Sequence, residues 1–237
     1  RYPSRPHAME WVGWMVLSVL GGAVWLEVFS VNATLAPYLT LIAVSIALMM
    51  ALHTKATVWA GASRLTWIRA QITVWLLALL WVPEVFQSHG LTLGLLGLTA
   101  LLIDGFDGWW ARRFDQTTAL GARFDMETDA ALIMVLSLAV WLSGKAEMWV
   151  LWIGLMRYVF IGAQFIWPWL EGSLPPSLRR RVICVVQVSV LLLVLPNWFP
   201  PLQAALILTT GLALLVSSFA VDTLWLWRHR HHTKEIM

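Results

Sequence analysis

Residues 104–129 read DGFDGWWARRFDQTTALGARFDMETD and hold six of the thirteen acidic residues in a chain that is 59% hydrophobic. Asp104 and Asp107 stand three apart, and Asp125 and Asp129 four apart. On a helix both spacings put side chains on one face. Four carboxylates this close repel one another unless positive charge sits among them, and hard divalent cations take oxygen ligands of this kind. Acidic residues at helix ends also act as caps or dipole partners. That role accounts for one or two of the four. A quartet set between apolar runs, where an unpaired charge is costly, points to function.

The elements that position these residues are read from the apolar runs. Charged residues are only 12% of the chain and the mean hydropathy is +0.74, so one or two soluble domains are excluded as the main reading. Continuous runs of about twenty apolar residues predict bilayer-spanning helices, not alternating barrel strands. The spans fall near 10–30, 36–53, 66–83, 91–112, 118–142, 148–168, 181–196 and 201–227. The expected fold is therefore all-α, a polytopic transmembrane bundle of about eight spans. The seventeen tryptophans suit membrane interfaces, where an amphipathic ring is favoured.

Thirteen of the sixteen Lys and Arg fall on the side of the N-terminus, while the opposite side receives only Lys145. Arg69 and Arg157 lie inside spans. The positive-inside bias then places both termini and the acidic stretch on the cytoplasmic side. The net charge of +3 is parcelled among loops and gives no nucleic-acid signal. The single Cys184 excludes a disulfide framework.

The acidic stretch also resembles a known signature. Asp104, Asp107-Gly108, Ala111-Arg112, Gly121, Asp125 and Asp129 fill every fixed position of the motif of the CDP-alcohol phosphotransferase family. Leu65, Thr66 and Arg69 match the segment that opens the family's first core helix, while Ser63 and Arg64 replace its usual Pro-Asn. The resemblance implies a six-helix core over 61–237, preceded by an added two-helix hairpin within 1–60. It implies a homodimer, with packing or dimerisation as the hairpin's role. It implies transfer of a phosphatidyl group from a CDP-alcohol, CDP-diacylglycerol above all, to an alcohol acceptor with release of CMP, in phospholipid synthesis. The expected location is a bacterial cytoplasmic membrane.

The resemblance further implies a role for each matched residue. Asp104, Asp107 and Asp125 become ligands of Mg²⁺ or Mn²⁺, two ions in all. Asp129 becomes the base that takes the acceptor's proton and also touches a metal. Gly108, Ala111, Arg112 and Gly121 become the cytidine-nucleotide pocket, although small residues also serve close helix packing. Glu127 faces another side of its helix and reads as a neighbour of the site.

The acceptor is less legible. Arg157 lies mid-span, so it faces a cavity or pairs with an acid. Arg179 to Arg181 read as a headgroup anchor or as a phosphate-capturing run. In several relatives a basic residue here, with a Gln further along, lines the acceptor pocket. Arg181 and Gln187 sit at similar places, but the usual lysine and threonine are absent. The tail with His229, His231 and His232 reads as a basic end resting on anionic lipid. Two other functions use clustered acids: an intramembrane prenyltransferase, which needs a second aspartate motif, and a divalent-cation transporter, which spreads ligands over broken helices near the midplane.

Overall fold

The computed structural model describes residues 8–29, 35–53, 61–113, 119–172, 174–175 and 177–229. Among them there are nine α-helices and no strand. They are α1 (Ala8–Val28), α2 (Ala36–His53), α3 (Gly61–Leu79), α4 (Glu84–Ser88), α5 (Gly90–Arg113), α6 (Ala119–Leu142), α7 (Leu151–Ile166), α8 (Leu178–Val194) and α9 (Pro201–His229). Two 3₁₀ turns, Met148–Val150 and Pro168–Glu171, flank α7.

Proline sets most of the differences from the expected spans. The run expected to continue to 83 leaves the α-helix at Leu79, in turns in which Leu80 N–H donates to Leu77 O and Val82 N–H to Leu79 O. Pro83 has no N–H to extend a ladder and instead caps the short α4, within a stretch expected to be a loop. The run 148–168 is broken ahead of Pro168, because the residue before a proline is pushed out of helical geometry. Trp167 is accordingly non-helical, at φ −122° and ψ 89°. Pro201 opens α9 at a helix position where a missing N–H costs nothing.

Polar groups are buried within an apolar core, and large apolar side chains also face outward. Ser45, Thr66, Arg69, Gln71, Thr73, Thr128, Ser137 and Gln187 are buried. Leu17, Leu20 and Val24 of α1, and Leu202, Leu206 and Val221 of α9, are exposed. A protein bathed in water does not leave such faces open over whole helices. The stretches Met148–Ile166 and Pro201–His229 are long and apolar enough to cross a bilayer. Buried hydroxyls return to their own helix: Thr73 donates to Arg69 O at 3.0 Å, Thr128 to Phe124 O at 2.9 Å and Ser137 to Ile133 O at 2.8 Å.

Consecutive helices are not always partners. Among the described residues α5 and α6 do not pack along each other; each packs against both α3 and α8. Further out, α7 packs on α6, and α9 on α8. The hairpin α1–α2 packs chiefly on α3. There Trp75 lies over Gly21 and Gly22, its Nε1 donates to Ser18 O at 3.1 Å, and Ser45 donates to Gln71 Oε1 at 3.1 Å. At one end of the bundle Lys145 donates to Leu195 O and, at 2.7 Å, to Asn197 Oδ1. Its cation thus caps the carbonyl end of α8. Burial holds this ammonium below the usual lysine range.

The α6–α7 contact depends on Gly154, where a Cβ would lie 2.7 Å from Met134 Cα. Gly154→Ala forces two backbones apart and is expected to destabilise the protein by about 1–3 kcal/mol. Gly162→Ala, on the same helix with open space around it, should leave the melting temperature in detergent unchanged or raised.

Candidate metal and active site

The wedge between α5 and α6 is where the acidic residues meet. Asp104 lies in the second half of α5, and Asp125 and Asp129 lie one turn apart in the first half of α6. The tight turn expected to draw the two helix ends together lies outside the described residues; α3 and α8 each pack against both helices, and the carboxylates face one another across the gap. One oxygen from each of Asp104, Asp125 and Asp129 falls within 4.8 Å of the others.

Arg69 fills the centre of this trio. It projects from α3 and is 1% exposed. Its Nη1 pairs with Asp104 Oδ1 and, at 2.8 Å, with Asp125 Oδ1; its Nη2 pairs with Asp129 Oδ1. One fork thus neutralises carboxylates from two helices that do not otherwise pack together. Sequence reasoning gave Arg69 no role at the site. The available signals were its place inside an apolar run and its match to the opening segment of the resembled family.

The helix α8 closes the wedge. Cys184 Sγ donates to Asp129 Oδ2 at 3.8 Å, so Asp129 is held by Arg69 on one oxygen and by a thiol near the other. The run Arg179–Arg181 divides its work, because successive residues on a helix point about 100° apart. Arg179 is tied to α9 through Ser218 O at 2.7 Å, Ser218 Oγ at 2.9 Å and Asp222 Oδ1 at 2.5 Å. Arg180 donates to Pro175 O. Arg181 is exposed, and its positive charge acts on Asp125.

The remaining expected site residues fall in three places. Asp107, Gly108, Ala111 and Arg112 lie in the last two turns of α5, where the backbone is helical and the side chains are outside the described ones. Gly121 opens α6, one turn before Asp125. Arg157 of α7 pairs with Glu127 at 2.5 Å, on the flank of α6 away from the trio. Gln187 is fully buried and donates to Gly211 O at 2.9 Å, fastening α8 to α9, while its Oε1 has no hydrogen-bond partner. His229 stacks on Trp225 with ring centroids 4.2 Å apart; His231 and His232 lie outside the described residues.

Three carboxylates offering only oxygen suit a hard divalent cation. Residues 59–219 match the family described as CDP-alcohol phosphatidyltransferase. The chain belongs to the CDP-alcohol phosphatidyltransferase family. The match runs from just before α3 into α9 and leaves α1 and α2 outside it. No curated protein and no solved structure matches the chain. Membership makes this a membrane-associated transferase of phospholipid synthesis, using a CDP-alcohol donor and an alcohol acceptor. It displaces the prenyltransferase and transporter alternatives.

Cys184 is the chain's one cysteine and stands beside Asp129. Cys184→Ala is expected to keep most of the transferase activity. Cys184→Phe pushes the Asp129 carboxylate aside and should lower turnover about a hundredfold, since a misplacement of about 1 Å costs this much. Initial rates at saturating substrate, with melting curves of both variants, check this.

Proposed function

We propose that the protein transfers the phosphatidyl group of CDP-diacylglycerol to an alcohol and releases CMP. The reading rests on one coincidence. Within the segment matched to the family, aspartates 21 and 25 residues apart from Asp104 converge on one half-buried point (Asp125 and Asp129, by subtraction of residue numbers). Asp104, Asp107 and Asp125 would hold Mg²⁺ or Mn²⁺, with Asp129 beside them. A cation held there would supply positive charge to the pyrophosphate of the donor.

The chain's own residues do the rest. The acceptor hydroxyl attacks the phosphorus that carries the diacylglycerol. The bond from that phosphorus to the bridging oxygen breaks, and CMP leaves with that oxygen. Asp129 takes the hydroxyl proton as the new phosphodiester bond forms, a transfer that general-base catalysis favours. Gly108, Ala111 and Gly121 let the cytidine nucleotide approach the backbone, and Arg112 holds a phosphate. Arg181 faces the aspartates from α8 and draws in an anionic acceptor. The tie of Arg157 to Glu127, and that of Gln187 to Gly211, support the walls of this pocket.

The wider setting follows the same reading. The eight long helices cross the membrane, with α3 and α5 to α9 as the core and α1–α2 as an added hairpin. The aspartates and both termini face the cytoplasm of a bacterial cell, where CDP-linked head groups are found, while the acyl chains stay in the bilayer. The chain works as a homodimer.

Purified protein in detergent, given CDP-diacylglycerol and Mg²⁺ with single acceptors (glycerol 3-phosphate, inositol, inositol phosphate, serine, choline, phosphatidylglycerol), should release CMP with one of them. Asp129→Asn should cut that release about a thousandfold with an unchanged melting temperature; full activity would remove Asp129 from the mechanism. Asp107→Asn should weaken metal and nucleotide binding as well. With a phosphorylated acceptor, Arg181→Gln should raise the acceptor KM about tenfold at nearly constant kcat, the pattern of lost ground-state binding. An unchanged KM would move the acceptor elsewhere.

A further inference from the structure

We infer that Arg69 is a built-in counter-ion that competes with the divalent cation for the aspartate trio and so sets how tightly metal is held. The inference rests on the metal reading above and adds a role for a residue that reading does not use.

The first argument is geometric. Arg69 is not a neighbour reaching in from the rim; it is buried and pairs with all three carboxylates, each through Oδ1. A cation bound by the same three residues must share carboxylates whose Oδ1 atoms already face a guanidinium of like charge. The ligand atoms are close enough to meet on a single ion, and the Arg69 fork pairs with the same three residues. Charge supplies the second argument. In a poorly solvated interior three clustered carboxylates are unstable without a partner. Arg69 gives them one during folding and before metal arrives.

The third argument concerns exchange. A site whose binding-competent form is only a fraction of the population binds its ligand more weakly by that fraction. Every metal ion that binds must share the aspartates with the fork, against the repulsion of its positive charge, or displace it from them. The trio is thereby assembled in advance but weakened as a chelator. A transferase that must release CMP each cycle is served by metal that comes and goes.

Mn²⁺ alone, without nucleotide or lipid, tests this on the full chain in detergent, with free Mn²⁺ read by electron paramagnetic resonance and melting temperature followed in parallel. Arg69→Gln should melt lower than wild type without metal, regain that loss as Mn²⁺ is added, and half-saturate at about tenfold lower Mn²⁺. Arg69→Lys keeps the charge but not the two-pronged fork. It covers the case in which the glutamine variant fails to fold, and should half-saturate at about threefold lower Mn²⁺ than wild type. Equal or weaker Mn²⁺ binding in the folded variants overturns the inference and makes Arg69 a support that holds the ligands ready. Absence of saturable Mn²⁺ binding in wild type and variants alike overturns the metal reading itself, and the inference with it.

Discussion

Everything at the functional end of this molecule follows from one electrostatic constraint. Negative charge gathered in a half-buried cluster inside a helix bundle must be met by positive charge, because little water reaches it. Arg69 meets it from α3, and its three partners come from α5 and α6. The fork therefore joins two helices that have little contact of their own. Packing around it is arranged to allow this: α3 and α8 stand between α5 and α6, and the space so created is the site.

The rest of the interior obeys the same constraint on a smaller scale. Buried hydroxyls on α3 and α6 return to carbonyls of the preceding turn. The carbonyl end of α8 is capped by Lys145. Arg157 and Arg179, both awkward inside apolar helices, have Glu127 and Asp222. These pairs fasten α6 to α7 and α8 to α9, so charges that are costly in isolation become links between neighbouring helices.

Much of this was legible in the sequence because it is written in spacing. Apolar runs gave the helices, and intervals of three and four gave the faces of Asp104, Asp125 and Asp129. The motif with Gly108, Ala111, Arg112 and Gly121 gave the family. What was not legible depends on which helices become neighbours. Periodicity describes a helix and its face but not its partners, so the separation of α5 from α6 and the centrality of Arg69 were hidden. The expected pairing of Arg157 with an acid needed only local logic, yet its choice of Glu127 needed the fold. Around Pro83 and Pro168, hydropathy carried the expected spans past the points where backbone geometry ends them.

The arginine run at the start of α8 fixes something longer than itself. Arg179 reaches Ser218 and Asp222, Arg180 reaches back to Pro175, and Arg181 acts on Asp125. Three directions are thus pinned by three consecutive residues, so the rotation of α8 about its own axis is set at its first turn. Gln187 and Cys184 inherit their orientations from that setting. The first turn therefore carries a register: gaining or losing a single residue within α8 just after it would turn the rest of the helix by about 100° relative to these anchors. A run that looks like a plain basic anchor acts as the alignment mark for one wall of the site.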